Sequence, residues 1–187
     1  MVPLSALWVP IAVSAAFVLV ALLVIHGALG WHRGDMAAVP GEAKAMEALR
    51  GLGVQPGEYR FPYGNTTAEM TAPEFVAKMK QGPVGLLTIR PNGELNMGKM
   101  IGLWFVYSLF IAALAAYVTG RTRGPGAPFV DVFRFSGTVA FCCYVVAHWQ
   151  NWIWWGKGTR FTVTNSLDGT LYALITGATF GWLWPHA

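Results

Sequence analysis

Charge is scarce in this chain. Of its 187 residues only 12% are charged and 55% are hydrophobic, against roughly 25% charged in a soluble domain. That excludes an ordinary water-soluble globular protein. Cysteine is nearly absent as well. The only two, Cys142 and Cys143, are adjacent, and neighbours in sequence rarely meet disulfide geometry. No disulfide framework is available, and nothing follows about redox compartment. The apolar stretches lack alternation with period two, which excludes a transmembrane β-barrel. Between Gly34 and Lys99 there is no His, no Cys and no Ser. A serine or cysteine hydrolase needs a nucleophile beside a base, and zinc ligands are drawn mostly from Cys and His. Neither can be assembled there. Glu69 and Glu74 are carboxylates of the kind that solvate a surface, and a glycosidase pair is a poor reading of them.

What the chain does have is apolar length. A helical span needs about 20 predominantly apolar residues, and four stretches approach that: 7–29, 100–120, 133–155 and 167–184. The expected fold class is an all-α membrane protein with four transmembrane helices. A small α+β extramembrane domain at 31–98 separates the first helix from the second. The first stretch has no basic leading segment, is longer than a signal-peptide core and precedes no A-x-A site, so it reads as a retained helix.

Tryptophans mark the boundaries. Trp8, Trp182 and Trp184 fall at one side, and Trp31, Trp152, Trp154 and Trp155 at the other, as expected of residues that favour the headgroup level. Four spans place both termini together. The short basic loop with Arg121, Arg123 and Arg134 favours the cytoplasm for that side, although Arg33, Lys99, Lys157 and Arg160 nearly balance it. The net charge of +4 fits anionic lipid headgroups, with no nucleic-acid partner implied.

Most charges lie in the loop domain. Glu42–Arg50 reads as a helix stopped by Gly51 and Gly53. "GEYRFPY" reads as an edge strand because of Pro62. In "TAPEFVAKMKQG", Thr71 and Glu74 form a capping-box pattern closed by Gly82. "PVGLLTIR" reads as a second strand. The domain is marginal for independent stability and suits a docking surface.

Small residues recur at four-residue spacing. Gly169, Ala173, Gly177 and Gly181 form one stripe on the fourth span, and Gly98 and Gly102 with Ala112, Ala116 and Gly120 another on the second. Such stripes let helix backbones approach in lipid. The expectation is that the second and fourth spans pack together.

Strongly polar groups inside spans usually face a partner or a cavity. His26 and His148 fall at similar depth on the side of the loop domain, with His32 just outside and Asp168 opening the fourth span. A bis-histidine haem b between His26 and His148 is one reading, and a quinone or proton site at His148 and Asp168 a second. A metal site using the cysteines is weak, because His148 lies five and six residues from them, on other faces. The structural alternative is favoured. Both histidines then hydrogen-bond across helices or reach the interface, His148 stacks with Tyr144 and Trp152, and Asp168 complements the dipole of a helix capped by Asn165 or Ser166. Methionines recur too, and "NMGKM" sets Met97 and Met100 three apart. Thioethers bind Cu(I), although methionine more commonly fills irregular apolar gaps.

The motifs "YRFPY", "GPVGLLTIRPNGELNMGKM", "WFVYSLFIAALAAYVTGRT" and "DGTLYALITGATFGWLWP" resemble, as a set, a group of small bacterial integral membrane proteins with no assigned function. The resemblance covers most of the chain from Trp31 to Pro185. It implies a bacterial inner membrane and supplies no catalytic residue. The expected role is therefore a non-catalytic accessory, scaffold or assembly subunit of a larger membrane complex, without cofactor. The alternatives are a redox component with haem b or quinone near His26 and His148, and a small-solute transporter. The last is disfavoured by the absence of paired buried charges and inverted repeats.

Overall fold

The computed structural model describes residues 1–186. The chain divides into two compact units, residues 1–37 with 96–187, and residues 38–95.

The first unit is built from four long helices. Helix α1 occupies Leu4–Leu29. It begins with a 3-10 turn over Leu4–Leu7 and ends with a π-helical turn over Ile25–Leu29. The second and third long helices, labelled α5 and α6 by chain order, occupy Met97–Thr122 and Phe129–Trp155. The fourth, α7, occupies Thr159–Trp182. The first three are long and apolar enough to cross a membrane. Each exceeds the stretch expected from hydropathy by two to four residues, at its start alone for the first and third and at both ends for the second.

Helix α7 is less apolar, since threonine, serine and glycine recur along it. Its hydroxyls nevertheless need no water. Thr162, Ser166, Thr170, Thr176 and Thr179 each donate to the carbonyl four residues back, at 2.7–3.1 Å. This back-bonding satisfies a hydroxyl within its own helix.

The helices form a closed ring in which α1 packs on α5, α5 on α6, α6 on α7 and α7 on α1. The interior holds Val18 and Ile25 of α1, Ile111 of α5, Ala140, Tyr144 and Val145 of α6, and Tyr172 and Ala173 of α7. A second cluster, with Val2, Leu7, Ala112, Ala116, Val132, Phe180 and Trp184, fills the end where the chain termini meet. There the Val2 N–H donates to Gly120 O, and the Trp184 indole donates to Gly124 O at 2.9 Å. Trp184 is thus a packed residue rather than an interfacial one, while Trp8, Trp154, Trp155 and Trp182 are exposed.

The ring corrects the expected helix pairing. The small-residue face of α7 lies on α6. A Cβ at Gly169 would stand 2.8 Å from Tyr144 O, and one at Gly177 2.9 Å from Phe133 O. At Gly181 it would meet the Phe129 ring at 2.6 Å. The second and fourth long helices stand on a diagonal of the ring, where only long side chains such as Trp104 and Tyr172 meet, their centroids 5.8 Å apart. Gly98 and Gly102 have no neighbouring helix against them: a Cβ at Gly102 would meet nothing within 4 Å, and one at Gly98 only the Asn96 side chain.

The second unit, residues 38–95, is a small α+β arrangement. Its boundaries fall inside the expected 31–98. Helix α2 spans Glu42–Gly51, α3 Thr67–Thr71 and α4 Pro73–Gln81. Strands β1 (Gly57–Phe61) and β2 (Gly85–Ile89) pair antiparallel, with Tyr59 opposite Leu87. The capping signal is displaced from its expected position. Thr66 caps α3 by accepting from the Glu69 N–H, and the Glu69 carboxylate accepts from the Asn65 N–H at 2.7 Å. Helix α4 starts instead at Pro73, with Ala72 as its cap and no side-chain hydrogen bond. The Thr71 hydroxyl is already committed to the Thr67 and Ala68 carbonyls.

Candidate functional site

The site begins where α1 ends. The π turn carries His26, and Gly30 follows with φ +62°. That left-handed conformation, costly for residues bearing a Cβ, turns the chain back into a 3-10 turn over Trp31–Gly34. The turn lies against the first half of α7. Arg160 of α7 donates to Trp31 O at 3.1 Å and stands 3.4 Å from the Asp35 carboxylate. It runs so close over Gly34 that a Cβ there would be 2.8 Å from Arg160 Nε.

This fold-back delivers His32 and Asp35 to Asp168. His32 Nδ1 is 2.7 Å from Asp35 Oδ2, and His32 Nε2 is 2.8 Å from Asp168 Oδ2. His26 Nε2 lies 3.9 Å from the same Asp168 oxygen, and the two imidazoles stack at 4.4 Å. His26 Nδ1 is 3.3 Å from Leu22 O. Side-chain exposure falls from 46% at His26 through 19% at His32 to 6% and 5% at Asp35 and Asp168. Outside residues 38–95 the chain has three carboxylate side chains, Asp35, Asp131 and Asp168. Two of them hold this one histidine.

The electrostatics are specific. Burial pushes the Asp35 carboxyl up. The Thr164 hydroxyl, which donates to it at 2.7 Å, together with His32 and the Arg160 guanidinium outweighs that and holds it below its ordinary range. A neutral imidazole has one N–H and can serve one carboxylate. Its other nitrogen then meets the second carboxylate lone pair to lone pair unless a cation, proton or metal, lies between them. Buried polar atoms without hydrogen-bond partners gather here: Asp168 Oδ1, the Trp31 and Trp104 indole N–H groups and the Tyr172 hydroxyl. The Trp31 indole lies toward Asp168 but outside hydrogen-bonding geometry. Buried groups of this kind are normally paired, so their concentration at one place marks a site.

Among the described residues, His26, His32 and Asp168 are the one group of three or more metal-ligating side chains, with donor atoms within 4.8 Å of one another. His148 is half-buried on α6 and is not a member of that group. The Tyr144 ring packs instead on Trp104, Tyr107 and Tyr172, and Trp152 on Trp149, with its indole donating to Thr159. A π turn over Cys142–Val146 shifts the helical phase between Tyr144 and His148, which is why four-residue spacing misjudged that face. The dipole account of Asp168 is also corrected. Helix α7 starts at Thr159 with Gly158 as its cap, so Asp168 stands mid-helix. The Asn165 and Ser166 side chains bond back to Phe161 and Thr162 carbonyls rather than capping a terminus.

No family model, curated protein or solved structure matches the chain.

Proposed function

We propose that this is a metal-binding membrane protein, holding a divalent first-row transition ion with His26, His32 and Asp168. The observation that carries the reading is the orientation of the two imidazoles. Each has its Nδ1 against an oxygen acceptor, Asp35 for His32 and Leu22 O for His26, and each turns Nε2 toward the Asp168 carboxylate. Metal-bound histidines are characteristically oriented in this way, by a carboxylate or carbonyl on the other ring nitrogen. Two imidazole nitrogens and one carboxylate oxygen form a borderline donor set suited to zinc and its neighbours, and three protein ligands leave a position open. Bonds of about 2.1 Å bring donors about 3.4 Å apart. Closing from 4.8 Å requires movement of about 1 Å, which the half-exposed His26 can supply.

The proposal includes four membrane spans, with α7 as the fourth, both termini on the cytoplasmic side and a bacterial inner membrane as location. The back-bonded hydroxyls of α7 support it, since backbone and side-chain polar groups in lipid must be satisfied internally. The metal site would then face the side opposite the cytoplasm. In a larger membrane assembly the chain would serve as the metal-carrying accessory subunit.

The test is Co(II) titration of the full chain in mild detergent. The expected result is a visible d–d absorption at one equivalent, displaced by zinc and lost in His32→Ala and Asp168→Asn. Binding that survives both substitutions would reject the site. A haem Soret band that disappears in His148→Ala would favour the redox alternative instead.

A further inference from the structure

Between α1 and α5 runs a groove of about 420 Å³. One wall is the end of α1, with His26 and Gly27; the other is the first turns of α5, with Met97, Met100 and Trp104. A Cβ at Gly27 would meet nothing within 4 Å, so the groove stays open beside the imidazole. The start of α5 is fixed by Asn96, whose side-chain oxygen accepts from the Lys99 N–H at 2.9 Å. Residues three apart on a helix share a face. Met97 and Met100 therefore both turn toward the groove that His26 enters. Its other lining residues, Leu22, Leu23 and Ile101, are apolar, and no carboxylate borders it.

We infer that Met97, Met100 and His26 form a binding site for monovalent copper. Thioethers are soft donors that select Cu(I), and imidazole accepts it as well. The lining of the groove offers a hard dication no anionic oxygen, the carboxylate 3.9 Å from His26 Nε2 being Asp168 of the divalent centre, whereas a single positive charge among two sulfurs and one nitrogen needs none. The site shares only His26 with the divalent centre. That imidazole is the most exposed member of the cluster and the furthest from Asp168, so it is the ligand free to serve either ion. Loading one site then weakens the other.

The experiment is competition for Cu(I) between the full chain in mild detergent and a chromogenic Cu(I) chelator, under anaerobic reducing conditions. The wild-type chain is expected to withdraw one equivalent. Met97→Leu with Met100→Leu should reduce the affinity at least tenfold while leaving thermal melting and Co(II) absorption unchanged, because leucine conserves volume and apolar character. His32→Ala should abolish the Co(II) band yet retain Cu(I). Undiminished Cu(I) affinity in the double methionine variant would overturn the inference. So would loss of Cu(I) binding in His32→Ala, since the copper would then lie in the divalent centre. No withdrawal by the wild-type chain would overturn it too, independently of the Co(II) result.

Discussion

At the scale of single residues, the chemistry turns on which atom of His32 is free. Asp35 takes Nδ1 and leaves Nε2 to Asp168. An asparagine at 35 keeps the shape but presents a weaker, neutral acceptor. Asp35→Asn is therefore expected to weaken Co(II) affinity about 10–100-fold, the usual cost of losing an outer-shell partner. The ion-free protein should lose about 1–3 kcal/mol for the charged hydrogen bonds given up. Titration and melting of the same preparation check both effects, and an unchanged affinity would remove Asp35 from the site. Only part of this was legible in the sequence. His26 stands out as an ionisable group in an apolar run, and the polar residues before Asp168 suggest a helix start there, whereas the helix begins at Thr159. His32 and Asp35 sit in a turn beyond the span, where no periodicity operates. The device that brings them back, a left-handed Gly30 and an arginine laid over Gly34, becomes informative only once α7 is in place.

At the scale of elements, the stripe on α7 was legible and its partner was not. Four-residue spacing identifies a face, but which neighbour receives it depends on ring order, and connection lengths decide that. The three-residue link between Trp155 and Thr159 places α6 and α7 side by side. Gly177→Leu is expected to destabilise the protein by about 1–3 kcal/mol, as overpacking of a close contact does. Gly102→Leu, on a face with nothing within 4 Å, and Leu174→Phe, at a position 49% exposed, should melt as the wild type does. Equal losses in all three would mean that α6 and α7 do not meet as described. The same comparison separates the two stripes, which sequence spacing treats alike.

At the scale of the whole molecule, the arrangement of helix ends makes a claim about sides. In the ring the start of α1, the link from α5 to α6 and the end of α7 share one end, joined by the Val2–Gly120, Gly126–Pro185 and Trp184–Gly124 hydrogen bonds. The other end carries His26, His32, Asp35 and Asp168. If all four helices cross the bilayer, a residue in the α5–α6 link and one in the segment between α1 and α5 must lie on opposite sides. Single-cysteine reporters at Gly124 and Glu58, with Cys142 and Cys143 replaced by alanine, test this directly. In sealed vesicles of one orientation, an impermeant maleimide should label one position and reach the other only after permeabilisation. The proposed orientation puts Gly124 on the cytoplasmic side, where a cluster of arginines adjoins it. Labelling of both from the same side would mean that α5, the one long helix between the two positions, does not cross the membrane, and would overturn the four-span arrangement.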